Sequence, residues 1–156
     1  SAHYLAIVDK LRAAIPEITL TSDIIVAFPG EEEADFADTL RVMERVRYDA
    51  VYSFIFSPRE GTRAAKMENL TTQEEKNDRM ARLLALQREI SLEKNLREVG
   101  KSVRVLCDGE ASEGGYLGRT PGGKLVRFSA PADPTGTFVR VKIDRATPFD
   151  LFGTAL

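Results

Sequence analysis

Ser22-Asp23-Ile24-Ile25-Val26-Ala27-Phe28-Pro29-Gly30-Glu31 is the stretch on which the fold of this chain turns. Ile24-Ile25-Val26 is a continuous β-branched run, stiff at χ1 and suited to a pleated surface. A short run that is apolar at every position predicts a strand buried on both faces, as in a parallel sheet. Pro29-Gly30 ends it. Glu31, Glu32, Glu33 and Asp35 follow, where negative charge complements the N-terminal end of a helix dipole. The glutamate triplet is read as that feature, not as a metal or acid–base cluster. Phe36, Leu40, Met43 and Val46 then give a second helix one apolar face.

On the N-terminal side, His3–Ala14 reads as a helix. Leu5, Val8, Leu11 and Arg12 carry helical spacing, Ile7 and Ile15 flank them, and Pro16 ends the segment. On the C-terminal side, Asp49-Ala50 leads into a second strand, Val51-Tyr52-Ser53-Phe54-Ile55-Phe56, and Pro58, Gly61 and Thr62 mark a loop. Helix–strand–helix–strand is the rhythm of α/β units around a parallel sheet. Two strands leave unpaired edges and an uncovered core. A larger sheet is therefore expected, with further polypeptide ahead of Ser1.

Thr71 or Thr72 with Glu74 or Glu75 has the form of a capping box. A long helix is expected from there to about Glu98, with Met80, Leu83, Leu84, Gln87, Ile90 and Asn95 along one side. At ~1.5 Å per residue it spans roughly 40 Å, the length of a connector between domains. After Gly100 the character changes. Ser102–Leu106, Tyr116–Arg119, Leu125–Phe128, Phe138–Ile143 and Leu151–Gly153 are short β-rich segments punctuated by glycine and proline, which predicts a small antiparallel barrel. The expected organisation is an α/β portion at 1–70, a connecting helix at 71–98 and an all-β domain at 99–156.

Composition bounds the function. Of 156 residues, 43% are hydrophobic and 29% charged, as in soluble globular proteins. No apolar stretch approaches the ~18–20 residues of a membrane span, and the N-terminus shows no signal-peptide pattern. Cys107 is the single cysteine, which fits a reducing, cytoplasmic setting and cannot hold an iron–sulfur cluster. His3 is the only histidine, so no self-contained metal site is expected, with carboxylate-only Mg²⁺ binding left open. Residues 1–98 hold 14 Lys/Arg and 18 Asp/Glu, net −4; residues 99–156 hold 8 and 6, net +2. The basic tilt of the second half permits an RNA-facing surface without requiring one.

Four segments, in order, carry a resemblance. Ser22–Glu31 followed by Asp35-Phe36 is the first, and Phe54–Thr62 followed by Ala64-Ala65 the second. The third is Leu86–Ser91 continuing to Asn95 and Val99-Gly100-Lys101. The fourth is Gly118-Arg119-Thr120 with Phe138–Ile143, Ala146-Thr147 and Leu151-Phe152-Gly153. Together they resemble radical-SAM methylthiotransferases of the MiaB type, over nearly the whole chain. The Gly-Arg-Thr form resembles the tRNA-modifying branch. The related RimO branch, which modifies a ribosomal protein, has an acidic sequence there. One departure stands out: the family has Gly where this chain has Ala27, an added methyl that a small shift would accommodate.

The resemblance implies a fold: the C-terminal α/β units of a radical-SAM barrel, that is an α/β partial barrel, followed by a small all-β TRAM (OB-like) barrel. It implies a transferase that methylthiolates N6-isopentenyladenosine beside the anticodon, using S-adenosylmethionine and two 4Fe–4S clusters in the full-length protein. The cluster cysteines lie N-terminal to this segment in the family, so neither cofactor binding nor catalysis is expected of this fragment alone. The implied partners are the tRNA anticodon stem–loop and the missing N-terminal portion of the same polypeptide, with no membrane and no DNA. The alternatives are a RimO-like enzyme and a non-catalytic RNA-binding module.

By family position, Asp23, Ile25, Phe28 and Pro29 border the cofactor, although the plainer reading of Ile24, Ile25 and Val26 is core. Arg59, on the loop with Ser57 and Thr62, is suited to a carboxylate or phosphate, or to a salt bridge with Glu60 or another local acid. RNA contacts are expected from Lys101, Arg104, Tyr116, Arg119, Lys124, Arg127, Arg140 and Lys142, with Arg119 foremost. Tyr116, Phe128 and Phe138 are candidates for stacking on unpaired bases, the plainer place for Phe128 and Phe138 being the barrel core. Cys107 is read as a barrel residue, not a nucleophile, since no histidine lies nearby in sequence to activate it.

Overall fold

The structure, a computed structural model, describes residues 2–156. α1 (Ala2–Ala14), β1 (Thr21–Val26), α2 (Glu33–Val46) and β2 (Ala50–Ile55) follow the expected order. β1 and β2 pair in parallel, from Thr21 opposite Ala50 to Val26 opposite Ile55, with α2 as the crossover that a parallel pair requires. α2 starts at Glu32, which forms a reciprocal capping box with Asp35; the Glu32 N–H donates to Asp35 Oδ2 at 3.0 Å. It stops at Arg47, in the left-handed region at φ 50°, whose N–H returns to the Met43 carbonyl at 2.7 Å.

Val8, Val26, Phe36, Met43, Val46, Tyr48 and Leu83 form the core of this unit, with Ile24, Leu40, Val51 and Ile55 packed against it. The expected burial of β1 on both faces is corrected here. Ile25 is 51% exposed, and its neighbours across the pair, Tyr52 and Phe54, are 59% and 55% exposed. Alternate strand residues point to opposite faces, and the helices cover only the face carrying Ile24 and Val26. In α1, Val8 is buried, whereas Ile7 and Leu11 are exposed, as is Ile15 just beyond its end.

A 3₁₀ turn at Ala64–Lys66 precedes α3 (Gln73–Leu96). Its capping box uses the second of each expected pair: the Thr72 N–H donates to Glu75 Oε2 at 2.7 Å, and the Glu75 N–H to Thr72 Oγ1 at 3.2 Å. The Thr72 N–H, and the Thr72 hydroxyl that donates to the same Glu75 oxygen at 2.8 Å, hold the Glu75 carboxyl below its ordinary range. The buried stripe of α3 carries Arg79, Leu83, Gln87, Ile90 and Asn95; Leu84, expected on it, is exposed. The chain divides into two units, up to Ile90 and from Ser91 onward, so the boundary falls inside α3. Among the described residues no helix is long and apolar enough to cross a membrane.

β3 (Ser102–Glu110), β4 (Tyr116–Arg119), β5 (Leu125–Ser129), β6 (Phe138–Ala146) and β7 (Asp150–Ala155) close a barrel in the order β3-β4-β5-β7-β6. All pairs are antiparallel except β5 with β7. This is a five-stranded barrel, as expected, and of the OB-like kind. β3 and β6 have nine residues each, longer than sequence patterning predicts. Irregularities at Cys107/Gly109 and Ile143/Arg145 let them bend around the barrel. Val105, Cys107, Val126, Phe128, Val141, Ile143 and Leu151 fill the interior.

Candidate nucleic-acid interface and strand-end loop

In the α/β unit, Asp23 and Ile25 lie on the bare face of β1, opposite Tyr52 and Phe54 of β2. Beyond Val26 the chain turns sharply. Ala27 is fully buried and left-handed at φ 57°, a conformation easy for glycine and strained for alanine. Ala27 thus occupies a turn that favours glycine, the residue the resemblance leads one to expect there. Phe28 is 41% exposed and meets Phe56 edge-on, with centroids 5.1 Å apart; Pro29 is buried in the turn. The structure brings Asp23 and Ile25 onto one surface. Arg59 is exposed on its loop and enters no ion pair, with Glu60 or otherwise, among the described residues. The Arg59 carbonyl accepts the Thr62 hydroxyl at 2.8 Å, which orders that loop.

Sequence reading missed what holds the turn. Glu31 Oε1 accepts the Ala27 N–H at 3.0 Å, and Asn69 Nδ2 donates to the Ala27 carbonyl at 3.0 Å. Arg79 Nη1 clasps Glu31 Oε1 at 2.8 Å, and both side chains are nearly buried, 7% and 13% exposed. Arg82 continues outward to Glu33 at 2.7 Å and to Asp78 at 3.0 Å. Its hydrogen bond pulls the Glu33 carboxyl below the ordinary range. Glu32 keeps the helix-start role read from sequence, while Glu31 is an anchor. The signal was available: Arg79 stands one turn before Leu83 on an apolar stripe, and an arginine there needs an acid.

On the barrel, the eight residues singled out from sequence separate into two groups. Four are tied into the domain or lie against it. Lys124 Nζ donates to Asn95 Oδ1 at 3.0 Å and to the Lys94 carbonyl at 3.3 Å. Arg127 Nε pairs with Asp150 at 2.8 Å, which raises its pKa further. Lys101 lies 3.5 Å from Glu98. Tyr116 is half-buried with its ring 5.9 Å from that of Phe128; desolvation, then Asp133 and Glu110, raise its hydroxyl pKa.

The other four share a surface. Register places Arg104 opposite Arg140, Ser102 opposite Lys142 and Leu106 opposite both Phe138 and Arg119. Arg104, Arg140 and Lys142 are exposed, and none is in an ion pair among the described residues. Arg119 is 3.6 Å from Asp108, so its charge is partly balanced. Phe138, for which the core was the plainer expectation, is 55% exposed; the Arg104 guanidinium lies 3.8 Å from its ring centroid. Phe128 does occupy the core, at 4% exposure.

Gly118-Arg119-Thr120 also resolves into separate roles. A Cβ on Gly118 would lie 2.3 Å from the Leu106 carbonyl, so glycine is what lets β4 approach β3. Thr120 closes the following turn through its N–H to the Lys124 carbonyl at 3.0 Å and its hydroxyl oxygen to the Lys124 N–H at 3.1 Å. Only Arg119 points outward with charge. No group of three or more metal-ligating side chains gathers among the described residues. Cys107 is buried in the barrel, and one thiolate does not suit a cluster that usually takes three or four.

Residues 96–156 match the TRAM domain family. Nearly the whole chain is similar to proteins named tRNA-2-methylthio-N(6)-dimethylallyladenosine synthase. That of Acetivibrio thermocellus is 45% identical over 153 residues, covering 97% of this chain and 32% of the relative. That of Geotalea uraniireducens is 46% identical over 151 residues (96% and 34%), and that of Bacillus velezensis 43% over 152 (96% and 30%). The chain therefore spans about a third of the length of these relatives.

Proposed function

We infer, from a chain that belongs with the MiaB-type tRNA methylthiotransferases and carries a TRAM domain, that it supplies RNA binding and part of a cofactor wall to such an enzyme. The whole enzyme would place a methylthio group on N6-isopentenyladenosine beside the anticodon, in the cytoplasm. S-adenosylmethionine and 4Fe–4S clusters supply the radical chemistry when bound. The residues here do not fit the clusters, so their ligands belong to another part of the enzyme, and this chain alone is expected to be inactive. Asp23, Ile25, Phe28 and Pro29 fit the nucleoside side of the cofactor better, because the face and turn they share offer a carboxylate beside apolar surface. Arg59 extends this wall only if its loop folds toward it. The bare side of the β1–β2 sheet supports the reading that these units belong to a larger radical-SAM barrel.

The observation that carries the reading is the outward face of β3 and β6, where Arg104, Arg140 and Lys142 stand without acid partners beside an exposed phenylalanine. Phosphate contacts from such a face release counterions, so affinity falls with salt. Titration of the chain with an anticodon stem–loop should show binding at low salt that weakens steeply toward physiological salt. Absence of binding at low salt would remove the tRNA reading.

A further inference from the structure

We propose that the outward face of β3 and β6 seats an unpaired nucleotide, with one base stacked on the Phe138–Arg104 pair and its flanking phosphates against Arg140 and Lys142. The proposal rests on the RNA-binding reading above and deepens it: the preferred ligand is single-stranded or splayed RNA, not a duplex.

Three observations lead there. Phe138 is the aromatic that the barrel does not use for itself on this face, since its ring is 55% exposed beside Leu106 at 38%. Arg104 lies over it at 3.8 Å from the centroid, and its side chain is exposed as well. Both ring and guanidinium are surfaces on which nucleobases stack. Arg104 and Arg140 are also direct cross-strand partners. Like charges placed opposite each other on a sheet repel, and no carboxylate of the described residues pairs with either one. An anion brought between them relieves that repulsion. The acids nearest along these strands are Asp108, engaged 3.6 Å from Arg119, and Asp144, exposed beyond Lys142.

The face commonly used by OB-like barrels, on the second and third strands, is poorer here. Arg127 is held by Asp150 at 2.8 Å, and the nearby Arg145 lies on Phe152 at 3.6 Å. Arg119, the other cation on these strands, lies opposite Leu106 and so borders the β3–β6 face. The unbalanced charge and the open aromatic coincide on β3 and β6 instead. A duplex gives phosphates to such a face, but its bases are stacked internally and leave the aromatic without a partner.

The test uses the chain with a short single-stranded RNA carrying 2-aminopurine at its centre, and the same sequence annealed as a duplex. The single strand is expected to bind at least about tenfold more tightly, with stacking-induced quenching of the probe. Phe138→Ala should weaken single-strand binding about tenfold and abolish the quench without changing the salt slope. Phe138→Trp should restore both, which a merely disturbed fold would not. Arg140→Gln should reduce the salt slope by about one contact on both RNAs and leave the quench in place. The proposal is overturned if Phe138→Ala binds the single strand like the parent, or if the duplex binds equally well. In that second case, with a full salt slope, RNA binding survives and only the stacking seat falls. If neither RNA binds at low salt, both readings fall.

Discussion

The α/β unit leaves one side of its two-stranded sheet bare, whereas every strand of the barrel has a neighbour on each side. In the α/β unit, Ile25, Tyr52 and Phe54 stand in solvent on the face opposite the helices, and the outer edges of β1 and β2 have no strand beside them among the described residues. The barrel abolishes its edges by closure. The two units also differ in what fixes their tight places. The turn after β1 depends on a nearly buried ion pair, Glu31 with Arg79, reaching the backbone of Ala27. The close approaches of the barrel depend on missing side chains, at Gly118 and Gly153. One unit is secured by charge, the other by shape, and each should fail in its own way.

Arg79→Ala should have the largest effect. It leaves the Glu31 carboxylate nearly buried without its partner, a change that costs about 3–5 kcal/mol. Hydrogen exchange should quicken in β1 and α2 while barrel amides keep their protection; equal loosening of both units would break the contrast. Gly153→Ala should act on the barrel instead. Its Cβ would lie 2.0 Å from the Lys142 carbonyl, against backbone that cannot step aside, and overpacking of this kind costs about 1–3 kcal/mol or more. Exchange should then rise in β6 and β7 and not in β1.

Ala27→Gly should be nearly neutral, within about 1 kcal/mol by chemical denaturation. Relief of the left-handed strain, ~1–2 kcal/mol, is offset by the lost burial of a methyl, ~0.8 kcal/mol, and by the greater freedom of the unfolded chain, ~0.4–1 kcal/mol. A large change of either sign would mean that the turn is held differently. The smallest effect concerns acid. The Arg82 hydrogen bond depresses the Glu33 carboxyl below its usual 4.5, so its stabilising contribution is present above that value and is lost as pH falls through the folded-state pKa. Glu33 is 60% exposed, and solvent screening holds the effect to no more than about 0.5 kcal/mol. Glu33→Gln should flatten the acid limb of stability by that little, at the α/β unit alone.

Much of the site was legible only as a list of residue types. Eight basic or aromatic residues of the second half were candidate RNA contacts by sequence, Arg119 foremost, with nothing in the string to rank the other seven. What separates Arg104, Arg140 and Lys142 from Lys124 and Arg127 is whether Asn95, Glu98 or Asp150 lies within reach, and those partners are 23 to 29 residues away. Phe138 and Phe128 look alike in a β-rich string, yet in the closed barrel one sits outside, opposite Leu106, and the other inside, among the core residues. Glu31 was hidden inside a run of three glutamates whose local explanation, helix-start charge, is sufficient for its neighbours.

Local chemistry in the sequence determined the elements themselves: the β-branched run and Pro-Gly stop of β1, the Thr72–Glu75 cap of α3, and five β segments divided by glycine and proline. These depend on residues a few positions apart, which any chain carries with it unfolded. Tertiary structure alone decided which side of β1 is bare, which arginines keep an unbalanced charge, and which phenylalanine faces out. Those outcomes depend on the distance between residues far apart in sequence, and only the pairing of the sheet and the closing of the barrel set that distance.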